Sequence, residues 1–167
     1  FAVMLCIAIL SSVISNVAAA AVFVPIVLKM MDIYEDEDDK ARTSKCYMIA
    51  IPVASMIGGM MTPAGSSINM IAINMLYDNT GMNITFAQWM LFGIPVAAAA
   101  LVFAWIVCIK VYKPCDVAEE TITGYIEEIK VRGRMDTKEK YTITVVLVML
   151  LLWILSSWIQ ALDITVI

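Results

Sequence analysis

Between Cys46 and Tyr77 the chain carries no charged residue, yet this span is full of residues that interrupt helices. Its centre, Ile49 to Asn74, reads IAIPVASMIGGMMTPAGSSINMIAIN and holds two prolines, three glycines, three serines, a threonine and two asparagines. As one straight helix the uncharged span would extend roughly 48 Å at about 1.5 Å per residue, against a hydrocarbon core about 30 Å thick. Apolar flanks around a breaker-rich middle predict two half-helices joined by an unwound polar loop at membrane depth. Irregular backbone survives at that depth only where protein or a water-filled cavity covers it. Broken helices of this kind build substrate and ion sites in secondary transporters.

Composition agrees with a membrane setting. The 167 residues are 62% hydrophobic with a mean hydropathy of +0.87, well outside the range of a soluble domain. The chain begins at Phe1 inside an apolar run and stops at Ile167 without a polar tail, so we expect a piece of a longer polytopic protein. With no histidine, a His metal site or a His-based catalytic group is excluded within these residues. The net charge of −4 comes mostly from one acidic cluster and does not indicate a nucleic-acid partner.

A second uncharged run, Phe1 to Leu28, has Ser15-Asn16-Val17 at its middle and Pro25 beyond. One helix of this length would be roughly 42 Å long and could cross if tilted or kinked at the proline. The alternative is a re-entrant hairpin over residues 1–31 with its tip at Ser15-Asn16, since Ser and Asn favour turns and N-caps. Met31 to Lys45 holds six acids and three bases and is expected to be a solvated connection. Beyond the broken helix (46–77), Phe86–Ile109 and residues 141–163 are expected spans, with Trp89 as an interfacial anchor. Lys110 to Lys140 carries seven of the eleven basic residues, which assigns it to the cytoplasmic side, and Val117 to Val131 suits an interfacial helix.

The two polar breaks, Ser15-Asn16-Val17 followed by Pro25 and then ASMIGGMMTPAGSSIN, resemble the amino-terminal half of the divalent-anion:sodium symporter (DASS) family. The resemblance extends through FAQWMLFGIPVAAAALVFAW and the Trp-containing span at Val148 to Ile154, nearly all of the chain. It implies the hairpin, and with it an all-α membrane protein forming one inverted repeat of an elevator-type transporter in the plasma membrane. A homodimer, a di- or tricarboxylate substrate and co-transported Na+ are also implied. By position, Ser11, Ser15, Asn16, Gly65 and Asn69 would hold sodium, while Asn16, Val17, Ser66 and Ser67 would meet the substrate. Two departures from the family pattern fall on the substrate side: Val17 stands where a threonine is usual, and Ser67-Ile68 replaces a Pro-Pro type of sequence.

Other classes fit the residues less well. A proton antiporter should place an acid inside a span, and Asp163 at the end of the chain is the nearest candidate. An intramembrane hydrolase would need a base beside its nucleophile, and Ser15 has no His or Lys in its segment. A structural membrane subunit would show no stabilisation by sodium.

Overall fold

A computed structural model describes residues 1–32, 34, 36–115 and 137–156, and every described element is helical. The helices are α1 (Ala2–Ser11), α2 (Asn16–Met31), α3 (Glu37–Gly59), a 3-10 turn at Pro63–Gly65, α4 (Ser67–Thr80), α5 (Phe86–Tyr112) and α6 (Thr137–Ser156). The chain divides into two compact units. One comprises Phe1–Ile84 with Gln88–Val117, and the other Thr85–Ala87 with Ala118–Ile167. The first contains both polar breaks. In the second, α6 is a 20-residue helix rich in leucine and valine.

Within the first unit, α1 and α2 pack on α3, and α4 packs on the 3-10 turn that follows it. Trp89 on α5 reaches the Met60 carbonyl just past the end of α3, and Cys108 on α5 meets Cys46 near its start. These helices therefore run in opposite senses. Phe1 packs edge-on against Trp105, toward the Cys108 end of α5, while Ser11 and Ser12 bond to Ser55 and Thr62 near the end of α3. So α1 follows α3 in the same direction. The chain turns over Ser12–Ser15, and α2 starts beside Ser55 and returns to the core at Val27, Met31 and Cys46.

Local chemistry accounts for the ends of these helices. Ser15 is the N-cap of α2, with extended backbone and a hydroxyl that accepts the Ala18 N–H at 3.3 Å. Gly81, at φ +70°, closes α4 in the left-handed conformation that glycine adopts without a Cβ penalty, and its N–H reaches the Tyr77 carbonyl at 2.8 Å. Residues 60–66 interrupt the ladder because Pro63 lacks an N–H and Thr62 and Ser66 are extended.

Lengths follow from these breaks. α1 and α2 have 10 and 16 residues, so they reach only about 15 and 24 Å. Among the described residues α5, with 27, is the one helix long and apolar enough to cross a membrane.

The charged stretch departs from expectation. Residues 37–45 are helical, forming the first turns of α3, while Glu37, Asp38, Arg42 and Lys45 remain exposed. Glu37, Asp38 and Asp39 sit where the positive end of the helix dipole favours acids, and Arg42 pairs with Asp39 at 3.2 Å one turn on. The break of the second polar segment occupies 60–66, and its second arm continues to Thr80. α5 is also longer than expected, ending at Tyr112. Val117 to Val131 lies outside the described residues, as does Asp163.

Candidate functional site at the paired helix breaks

Both breaks lie at the same end of α3 and are bonded together. Ser11, on the last turn of α1, is fully buried, and its hydroxyl lies 2.8 Å from Asn16 Oδ1 and 2.7 Å from the Ser55 carbonyl. Ser55 in turn donates its own hydroxyl to the Asn16 carbonyl at 2.7 Å. Gly59, one turn further along α3, presents a bare backbone to the same asparagine: a Cβ there would fall 2.2 Å from Asn16 Oδ1. Asn16 is thus seated on one face of α3 between Ser55 and Gly59.

The second break is held by Asn69 and Thr62. Asn69 Nδ2 donates to the Gly59 carbonyl at 2.7 Å and to the Thr62 carbonyl at 2.9 Å. Two carbonyl acceptors fix which end of the amide carries nitrogen and direct Oδ1 away from both of them. The Thr62 hydroxyl accepts the Gly65 N–H at 3.0 Å and donates to the Ser12 carbonyl, tying the second break to the first. Gly65 itself lies against Gly59, where a Cβ would come within 2.7 Å of the Gly59 oxygen.

The residues singled out from the sequence divide into two groups. Ser11, Asn16, Gly65 and Asn69 converge through Gly59 into a single polar network, with Ser11 and Asn69 buried. Ser15, Val17 and Ser67 lie on the exposed side, Val17 being 80% exposed. Ser15 uses its hydroxyl as a cap. Ser66, half-buried, is extended at the N-cap of α4 (φ −150°, ψ 136°) and makes no side-chain capping bond. The N–H groups of the first turn of α4 are therefore not satisfied by its hydroxyl.

Unwinding does not leave every carbonyl free. Those of Gly59 and Thr62 are engaged by Asn69, and that of Met60 by the Trp89 indole at 3.1 Å. Gly93 on α5 lets the chains approach here, since a Cβ would sit 2.8 Å from the Met60 oxygen.

Sequence reasoning missed Ser55, Gly59 and Thr62 as members of the network. Ser55 bonds across 39 and 44 residues, a distance no local motif encodes. Gly58 and Gly59 differ in role: at Gly58 a Cβ would fall 2.2 Å from the Ala8 carbonyl oxygen, where α1 packs closely, whereas Gly59 faces the Asn16 side chain.

Chemically the network is a set of neutral oxygens and amides. Neither Phe1–Leu28 nor the Cys46–Tyr77 span contains a Lys or Arg, so these two segments bring no cation of their own to an anion.

The chain is 30% identical over 157 residues to the sodium-dependent dicarboxylate transporter SdcS of Staphylococcus aureus strain USA300, covering 87% of this chain and 30% of the relative. It is 28% identical over 156 residues to the SdcS of Staphylococcus saprophyticus, with the same coverage. The chain therefore spans about a third of the length of these relatives. Family and relatives are transporters, not enzymes. The citrate transporter (CitMHS) family model matches residues 1–166, and the chain belongs to that family.

Proposed function

We propose that this chain supplies one repeat of a sodium-coupled transporter for di- or tricarboxylates, working by an elevator movement as a homodimer in the plasma membrane. The observation that carries the proposal is the joining of two uncharged helix breaks by Ser11, Asn16, Ser55, Gly59 and Asn69 at one end of α3. In this reading α1 and α2 form a re-entrant hairpin, each arm being too short to cross a core of about 30 Å. The basic stretch from Lys110 to Lys140 and the charged start of α3 face the cytoplasm.

Sodium is cargo here. The Ser11 hydroxyl, Asn16 Oδ1 and Asn69 Oδ1 are neutral, hard oxygens of the kind a small hard cation takes, joined by backbone oxygens around Gly65. The single Ser11 hydroxyl proton has two acceptors within reach, Asn16 Oδ1 and the Ser55 carbonyl, and a cation shared by Ser11 and Asn16 requires it on the Ser55 carbonyl. A substrate carboxylate meets the N-terminal N–H groups of α4 beside Ser66 and Ser67, and those of α2 beside Val17. With no Lys or Arg in either segment, the bound sodium ions supply the positive charge that a dianion needs. That dependence is the physical basis of coupling.

The test is uptake of labelled succinate by the full-length protein in proteoliposomes, with and without an inward sodium gradient. Uptake that requires sodium is the expected result. Sodium-independent uptake that requires internal dicarboxylate would replace symport with exchange. Failure to take up succinate, citrate or sulfate in either condition would overturn the transport reading.

A further inference from the structure

We infer that Ser55 is a positioning residue for the sodium site, acting through Asn16 and Ser11; the inference rests on the sodium reading given above. Ser55 is 2% exposed and lies on α3 one turn before that helix ends. A serine within a helix commonly turns its hydroxyl back to the carbonyl four residues earlier, which satisfies it locally. Ser55 instead crosses to another helix and donates to the Asn16 carbonyl at 2.7 Å. Its own carbonyl accepts the Ser11 hydroxyl at 2.7 Å. One residue thus touches both Ser11 and Asn16, whose side-chain oxygens lie 2.8 Å apart.

The consequence lies in placement. Asn16 is the first residue of α2, where a helix is least restrained by its own ladder. The Ser55 hydroxyl fixes its main chain, and Gly59 on the same face of α3 leaves the space that its amide fills. Without the hydroxyl, the first turn of α2 keeps its cap at Ser15 but loses its anchor to α3. Asn16 Oδ1 then no longer holds a fixed distance from Ser11. A cation that takes both oxygens has to reorder them on binding, and its affinity falls. The maximal rate, measured when sodium saturates the site, is preserved.

The experiment is sodium titration of substrate uptake by the full-length protein, comparing wild type with Ser55→Ala and with Ser55→Cys, which keeps the volume but weakens the donor. Loss of one hydrogen bond should raise the half-saturating sodium concentration about three- to tenfold in Ser55→Ala, with a smaller rise in Ser55→Cys. The rate at saturating sodium should stay within about twofold of wild type on the same ground. A purely structural role would lower the rate or the amount of folded protein at every sodium concentration without moving the half-saturation point. An unchanged half-saturation point in Ser55→Ala, while wild type remains sodium-dependent, would overturn the inference alone. If Ser55→Ala does not accumulate, the same criterion applies to Ser55→Cys. Wild-type uptake indifferent to sodium would overturn the sodium reading and this inference together.

Discussion

Two adjacent glycines, Gly58 and Gly59, separate helix packing from the proposed sodium site at the scale of one residue. A Cβ at Gly58 would meet the main chain of Ala8, with the nearest atoms at 2.2, 2.5 and 2.7 Å, so α1 and α3 would have to move apart. Gly58→Ala should therefore cost about 1–3 kcal/mol of stability, measured by thermal unfolding in detergent. At Gly59 the obstacle is the Asn16 amide, a side chain that can swing away. Gly59→Ala should leave the unfolding midpoint nearly in place while the half-saturating sodium concentration rises at least about tenfold, since Asn16 gives up its bond to Ser11. Equal effects of the two substitutions on stability and on sodium would contradict this division. Asn69 is the third residue of this kind, because its amide nitrogen satisfies the carbonyls of both Gly59 and Thr62 in a buried position. Asn69→Leu keeps the bulk and abandons both acceptors, which should destabilise by about 2–4 kcal/mol. None of these distinctions is legible in the sequence. Asn16 and Asn69 announce themselves as polar residues in uncharged segments, but what holds them comes from 5 to 39 residues away.

For whole helices, the sequence was informative where residue chemistry acts locally. Ser15 as an N-cap, Pro63 in an unwound turn and the apolar run of α5 are each decided within a few neighbours, and the structure places breaks or helix there. At the start of α3 the acidic run shows solvent exposure but not backbone conformation: Asp36 to Asp39 occupy the end of a helix where acids are favourable, so a charged, largely exposed run begins a helix. The reading of α1 and α2 as a re-entrant hairpin is tested by cysteine labelling on a background lacking native cysteines. Ala2→Cys and Lys29→Cys, at opposite ends of the pair, should both react with a membrane-impermeant reagent applied from the cytoplasmic side. Modification of the two from opposite sides would establish a single kinked helix crossing the bilayer. The short arms and the Ser12–Ser15 turn favour the first outcome.

Across the whole molecule, charge is distributed against the expected job of the site. Apart from Asp78 and Asp163, acids and bases are gathered in residues 29–45 and 110–140, whereas Phe1–Leu28 and Cys46–Tyr77, which meet at the two breaks, have none. A dianion placed there has helix N-termini and hydrogen bonds for partners, each helix end offering about half an elementary charge. That does not offset the removal of two full charges from water, which costs several kcal/mol per ion even after relaxation. Under the proposed sodium coupling, bound sodium makes up the difference. Succinate or citrate binding to the full-length protein should therefore be strong in sodium and weaker by at least about a hundredfold in choline, a coupling of the usual size for linked sites. Reciprocity then requires that saturating substrate tighten sodium binding by the same factor. A second consequence follows from the absence of titratable groups among Ser11, Asn16, Ser55, Asn69 and Ser66. With sodium saturating, the pH dependence of binding should track ionisation of the substrate alone: affinity falls as the pH drops through the pKa of its last carboxyl and stays level above it. Calorimetric titration at several pH values in sodium and in choline measures both effects. Equal affinity in the two salts would mean that the site neutralises its anion without sodium, and an additional titration step would place an ionisable protein group beside the bound substrate.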